Sequence, residues 1–449
     1  MEKKSKFWIY FNVLCVALIL IGSIGAWLIA SSGGDVKIIR ITIPTNDGQW
    51  LTANLYKPKS ATAEHPAPAV ITCHGFTDSK EKQDLAAIEL SRRGIVVIQM
   101  DAYMHGFSSG TVVNSSPGST FAEGVGMIPM VKFIASSEMN YIDKTNIGVT
   151  GHSMGGFATQ ATLQYFGGLE GEALAVATLA GSPGGTTITS EEKAKAKALN
   201  PVSAGFILSA LPDTAPESHA LYHANIALEY TYFDEGVAQF SANGNGDMSI
   251  APEALAFVNA VLPNGQQLNQ LEIGKNYGSV EAGNLRVVYN STTTHTLAWL
   301  SPSVAKNMVS FFTNAFRMNT TLAANNQVFL VRKLFTGMSL VGLLMLIPII
   351  LSLLLHYKFF DSIKRVVPAA QPALTKVSDK MIFWGSFLII ILATVSLLVP
   401  VIVLTNNLFP DVANHGTASS FPDPNVNPFA IWSLVIGAVT LILFIMNYR

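Results

Sequence analysis

The longest apolar runs fall at the two ends of the chain. Residues 7–30 read FWIYFNVLCVALILIGSIGAWLIA, with no charge, and follow Lys3, Lys4 and Lys6. At about 1.5 Å per residue this run reaches about 36 Å as a helix, more than the hydrocarbon core of a bilayer. It is too long for the apolar part of a secretory signal, and no clean small-x-small cleavage site follows it. It therefore reads as an uncleaved transmembrane anchor over residues 1–30. Three further runs crowd residues 331–449, at about 335–356, 381–405 and 429–447. Pro348 and Pro400 lie inside two of them, which membrane helices tolerate better than soluble ones. Buried soluble helices are the alternative, but three such runs in about 115 residues favour spans.

Residues 31–330 differ in pattern and read as one soluble domain. VKIIRITIP and WLTANLYKP alternate as a leading β-hairpin around Asn46-Asp47-Gly48. Strand and helix patterns then alternate. APAVITC is a strand, KEKQDLAAIELSRRG a helix ending at Gly94, IVVIQMD a strand and FAEGVGMIPMVKFIAS a helix. NIGVTG and ALAVATLAG read as strands, as do the later IALEYTYF and LRVVYN, and SPSVAKNMVSFFTNAF is a closing helix. This order predicts an α/β fold with a mostly parallel sheet and helices on both faces. Residues 182–224 show no strand and read as a helical insertion. Residues 236–282 read as a second, with a Gly/Asn-rich tip at 243–246. Insertions at strand ends commonly line substrate sites.

Composition strengthens the membrane reading. Charged residues make up 13% of the 449 residues, where a soluble chain has about 25%. The formal net charge of −1, with no basic stripe, gives no sign of a nucleic-acid partner. Cys15 and Cys73, the two cysteines, do not make a disulfide framework. Residues 357–380 carry Lys358, Lys364, Arg365, Lys376 and Lys380, whereas 406–428 carry no Lys or Arg, only the acids Asp411 and Asp423. The positive-inside rule then puts 357–380 in the cytoplasm and 31–330 outside, in agreement with the N-terminal lysines. Arg332 and Lys333 fall on the outer side, a mild violation near a long translocated domain.

The chemistry concentrates in the middle segment. Gly151-His152-Ser153-Met154-Gly155-Gly156 lies between a strand and a helix, the context that a G-x-S-x-G nucleophile turn requires. Serine is a weak nucleophile and needs a base, which in turn needs an orienting acid. In such sheets the chain order is Ser, then acid, then His. His295, on the loop after LRVVYN, is the candidate base; His356 and His415 fall in the membrane region. Asp234 follows IALEYTYF and is the candidate acid, with Glu235 as its neighbour-rival and Asp213 and Asp247 as distant ones. The oxyanion needs two N–H donors. Met154 after the serine and Phe76 in His74-Gly75-Phe76 are the candidates, with His74 fixing that loop. His152, His219 and His223 lack metal-ligand spacing, and no glycine-rich dinucleotide pattern follows the first buried strand. Neither a metal nor a cofactor is expected.

His74-Gly75-Phe76, the segment DAYMHGFS over 101–108, GHSMGG, Asp234 and His295 together resemble the α/β-hydrolase superfamily. They are most similar to its dienelactone-hydrolase-like and prolyl-oligopeptidase-like bacterial branches, over about residues 36–318. The resemblance implies a Ser–Asp–His triad and an oxyanion hole from Phe76 and Met154. Where the family has Arg-Gly before the histidine, this chain has Tyr103-Met104, so no ligand role carries over to 101–108. Asp101 and His105 are expected to be structural or to line the site.

The expected function is a membrane-anchored serine hydrolase that cleaves an ester or amide. An acyltransferase using the same residues, or a non-catalytic module of a membrane complex, are the alternatives. Small molecules, lipids and peptides are all accessible substrates outside the membrane. VSAGFILSAL (202–211) and ALAFVNAVL (254–262) read either as an acyl-chain lining or as buried helix faces.

Overall fold

The computed structural model describes residues 2–45, 48–109, 123–180, 189–237, 241–364, 374–409 and 426–447. In chain order they form α1 (Glu2–Ala30), β1 (Val36–Pro44), β2 (Trp50–Pro58), β3 (Ala67–Cys73), α2 (Asp84–Ser91), β4 (Val96–Met100), α3 (Met127–Ser136) and β5 (Ile142–His152). There follow α4 (Met154–Ala180), α5 (Ser190–Ala198), β6 (Val202–Leu208), α6 (Pro216–Ala220), β7 (Asn225–Glu229), α7 (Pro252–Asn259), β8 (Asn276–Tyr277) and β9 (Arg286–Tyr289). The chain ends with α8 (Pro302–Ala315), α9 (Phe329–Leu354), α10 (Val377–Ser396), α11 (Leu398–Leu408) and α12 (Val426–Asn447).

The strands form one nine-stranded sheet in the order β1-β2-β4-β3-β5-β6-β7-β9-β8. From β4 to β9 neighbouring strands are parallel, while β1, β2 and β8 join antiparallel at the edges. Strand β3 explains the layering. Ala69, Ile71 and Cys73 face one core with α3 and α4, and Val70 faces a second with α2 and α8. Both faces are therefore apolar, and each large buried side chain contributes about 1.5–3 kcal/mol. The order and the two covered faces are those of the α/β-hydrolase fold.

Two sequence expectations are corrected. ALAVATLAG is not a strand, because α4 runs on through it to Ala180. The sheet position beside β5 belongs instead to β6, within the segment expected to be a strandless insertion. Both are apolar runs without alternation, and a strand buried on both faces cannot be told from a buried helix by periodicity. VSAGFILSAL thus supplies a central strand. ALAFVNAVL lies largely in α7, whose Ala254, Phe257 and Val258 belong to the core. The hairpin tip at Asn46-Asp47, residues 181–188, Arg365, and Asp411 and Asp423 lie outside the described residues.

Among the described residues, four helices are long and apolar enough to cross a membrane: Trp8–Ala30, Phe329–Leu354, Val377–Ser396 and Asn427–Asn447. The run expected over 381–405 divides at Leu397 into α10 and α11, three residues before Pro400. Pro400 has no N–H to extend an unbroken helix. The chain clusters into two compact units, the first holding α1, the sheet with its helices and most of α9, the second α10 to α12. Within the second, Trp432 Nε1 donates to Thr394 O at 3.1 Å and Asn447 Nδ2 to Ser386 Oγ at 2.9 Å. Within the first, α1 and α9 touch through small residues. Ser23 and Ser339 hydroxyls lie 3.0 Å apart, and a Cβ on Gly22 would come within 2.4 Å of Ser339 Oγ.

Helix α9 begins six residues earlier than its apolar run suggests, because the sheet unit holds its first turn. The buried Glu89 Oε1 accepts the N–H groups of Val328 and Phe329, at 2.7 and 2.9 Å. A carboxylate there satisfies orphan donors and meets the positive end of the helix dipole. Arg332 and Lys333 both pair with Asp84, on the first turn of α2.

Candidate active site

The parallel strands carry the candidate residues to their C-terminal ends. Ser153 directly follows β5 with φ of +57°, in the left-handed region that costs a non-glycine residue free energy. The turn closes because its neighbours lack side chains. A Cβ on Gly151 would lie 2.3 Å from Gly155 O, and one on Gly155 would lie 2.2 Å from Cys73 O. The Ser153 N–H donates to Leu208 O at 3.0 Å, tying the turn to the end of β6.

His295 opens a 3-10 turn over His295–Leu300, and Asp234 lies just beyond β7. Their 61-residue separation closes to 2.7 Å between His295 Nδ1 and Asp234 Oδ2. Thr231 Oγ1 and Gly236 N–H also donate to the Asp234 carboxylate, at 3.0 and 2.9 Å. Burial alone raises the pKa of this carboxyl. The His295 ring, by hydrogen bond and charge, outweighs that with Gly236 and Thr231 and holds it below its ordinary value. In the neutral imidazole, with Nδ1–H donating to the carboxylate, Nε2 is left as an acceptor. Glu235, the neighbouring rival, takes the main-chain N–H of His295 at 2.9 Å instead of its ring. Asp213 accepts from Ala215 and Ser218, and Asp247 from Ser249, so both serve local turns.

The loop after β3 stands beside the serine. A Cβ on Gly75 would lie 3.4 Å from Ser153 Cβ. The N–H groups of Phe76 and Met154 have no acceptor among the described residues. Buried His74 holds this loop. Its Nε2 accepts the Ala102 N–H at 3.1 Å, so its Nδ1 carries the proton given to Gly75 O at 2.7 Å. His105 supports the loop from the other side, its Nε2 accepting the Thr77 N–H at 3.3 Å. Asp101 is structural. Its carboxylate accepts from Lys80 N and Nζ and from Phe107 N, and the Asp101–Lys80 pair is fully buried.

Ser153 and His295 approach without closing, since no hydrogen bond joins Ser153 Oγ to His295 among the described residues. Catalytic contacts are often loose without substrate. His152, which the sequence marks only as lacking metal-ligand spacing, links the Ser153 turn to the His295 turn. His152 Nε2 meets His295 O at 3.0 Å, and the two rings lie 4.8 Å apart. Burial, with the neighbouring His295, lowers the His152 pKa to about 4, so the ring is neutral and donates from Nε2. Glu229, at the end of β7, was also missed. Its buried carboxylate accepts Ser291 N–H at 2.9 Å and Asn307 Nδ2 at 2.7 Å, joining the His295 loop to α8. Burial raises its pKa to about 7 against those bonds. An acidic residue directly after the apolar run Ile226-Ala227-Leu228 was its only trace in the sequence.

A cavity of about 680 Å³ lies elsewhere, at the starting ends of β5, β6 and β7, where Thr145, Glu170, Lys197, Tyr222, His223 and Arg317 line it. No group of three or more His, Cys, Asp or Glu among the described residues could hold a metal ion.

The family model described as serine aminopeptidase, S33, matches residues 64–220. That stretch contains the Phe76 loop and Ser153. Fold and family match together support an α/β-hydrolase. Among solved structures, an esterase of Pyrococcus furiosus is 14% identical with a TM-score of 0.37, over 63% of this chain and 94% of that one. A feruloyl esterase module from Clostridium thermocellum, complexed with sinapinate, is 12% identical with a TM-score of 0.37, over 62% of this chain and 89% of that one. No curated protein matches the chain.

Proposed function

We propose that the protein is a membrane-anchored serine hydrolase that cleaves a carboxylic ester or amide through an acyl-enzyme, with Ser153, Asp234 and His295 as its triad. The 2.7 Å bond from His295 to Asp234, beside a serine on a strained turn, carries this reading. Asp234 fixes the His295 tautomer, which leaves Nε2 to take the proton of Ser153 Oγ as the oxygen attacks the carbonyl carbon. The Phe76 and Met154 N–H groups receive the resulting oxyanion, Met154 at the start of α4 where the helix dipole adds to the field. His295 then protonates the leaving alcohol or amine, and water releases the acid by the same route. The four apolar helices anchor the enzyme, and the lysine distribution supports an outer-face position for the sheet unit.

A fluorophosphonate probe tests the nucleophile. The full-length protein should be labelled at Ser153, with labelling and ester turnover both abolished in Ser153→Ala. Equal labelling of that variant rules the assignment out.

A further inference from the structure

The site and the membrane helix meet at one side chain. Trp299 belongs to the same 3-10 turn as His295. Lys333 of α9 stands 5.0 Å from its ring centroid, and Lys82 lies 4.3 Å from it on the sheet unit. Lys82 in turn pairs with Asp78 at 3.0 Å, on the loop that carries Phe76. Both halves of the site, the base turn and the oxyanion loop, are therefore linked to the beginning of α9. Lys333 is directly followed by Leu334, which is 74% exposed and opens the bare apolar surface of the helix. The helix has 26 residues, about 39 Å, against about 30 Å of hydrocarbon. The surplus lets its first turn lie in the headgroup layer, where lysine and tryptophan are favoured. His295, one 3-10 turn from Trp299, is then at headgroup depth.

Each candidate catalytic residue has an exposed apolar side chain close to it in the chain. Phe76, Phe157, Phe233 and Leu297 are each 43–59% exposed, and each lies within four residues of Ser153, Asp234 or His295 or is itself an oxyanion donor. Exposed apolar side chains beside the candidate catalytic residues, on the Phe76 loop, helix α4, the segment after β7 and the His295 turn, suit contact with another apolar phase. The interiors of 202–211 and 254–262 are filled by core packing, so no acyl-chain tunnel comes from those segments.

We propose, resting on the hydrolase reading above, that the substrate is an acyl ester resident in the bilayer that holds α1 and α9. Its acyl chain stays among Phe76, Phe157, Phe233, Leu297 and the lipid, while its carbonyl rises to Ser153. The Ser153 Oγ–acyl bond forms as the bond to the alcohol breaks, the alcohol leaves with the proton delivered by His295, and water then frees the fatty acid.

The experiment uses the full chain reconstituted in phosphatidylcholine vesicles. A self-quenched, two-chain acyl glycerol ester is placed either in the same vesicles or in separate, protein-free ones, and a soluble umbelliferyl acetate is assayed in parallel. Hydrolysis of the glycerol ester should be at least tenfold faster in the shared vesicles. Leu297→Glu should lower that rate several-fold relative to acetate. Equal rates in the two arrangements, or no cleavage of the glycerol ester while acetate is cleaved and Ser153 is labelled, overturn the inference and leave the hydrolase reading standing. Loss of all cleavage together with loss of fluorophosphonate labelling overturns both.

Discussion

The two ends of the parallel strands offer opposite arrangements. The starting ends have the volume, about 680 Å³, but their polar groups are already paired. Glu170 takes Lys197 at 3.3 Å, Asn200 at 2.8 Å and His223 at 3.7 Å. The finishing ends hold groups without partners among the described residues: the Phe76 and Met154 N–H groups, beside a serine on a strained turn and the His295 Nε2. Reactivity follows unsatisfied, pre-oriented groups rather than concavity, and the finishing ends of such strands are where sheet folds gather them.

The contrast can be broken by substitution, and the largest effect is expected at His295. His295→Ala should lower ester kcat by roughly 10⁴-fold or more; a variant that keeps a tenth of the activity would remove His295 from the chemistry. Asp234→Asn should cost roughly 10³- to 10⁴-fold in kcat/KM by spoiling the tautomer. Glu235→Gln, which touches only the main chain of His295, should cost less than about tenfold. Comparable losses at both positions would dissolve the distinction drawn between the two acids.

His152 gives a smaller, pH-dependent effect. Its pKa is near 4 in the folded protein and about 6.5 in the unfolded chain. The unfolded state thus binds more protons between those values, so stability is full above pH 6.5 and declines as pH falls toward 4. From pH 7 to pH 5 this group should cost about 2 kcal/mol. Thermal unfolding of the full chain in detergent checks this, with a shallower dependence expected for His152→Asn. The smallest effect belongs to the opposite end of the sheet. Lys197→Ala should leave ester turnover within about twofold, as surface substitutions usually do, and a large loss in that assay would give the 680 Å³ cavity a role in the reaction.

Local chemistry made part of this arrangement legible beforehand. The Ser153 turn is written in five consecutive residues, and the order of acid and base follows from chain direction through the sheet. The exchange between ALAVATLAG and β6 was not legible, because two apolar runs compete for one sheet position and only tertiary packing chooses. His152, Glu229 and Trp299 were hidden for a different reason. Each acts on a partner far away in the chain, His152 on a residue 143 positions on and Glu229 on one 78 positions on. No window of sequence contains such a pair.

The grip of Glu89 and Asp84 on the start of α9 bears on biogenesis. Those contacts bridge 239 to 249 residues of chain. On the outer-face topology, Arg332 and Lys333 reach the insertion machinery as two cationic flanks on the disfavoured side. They are neutralised only after the sheet unit has folded around Asp84. A chain that stalls in folding before the sheet unit forms leaves Arg332 and Lys333 without Asp84.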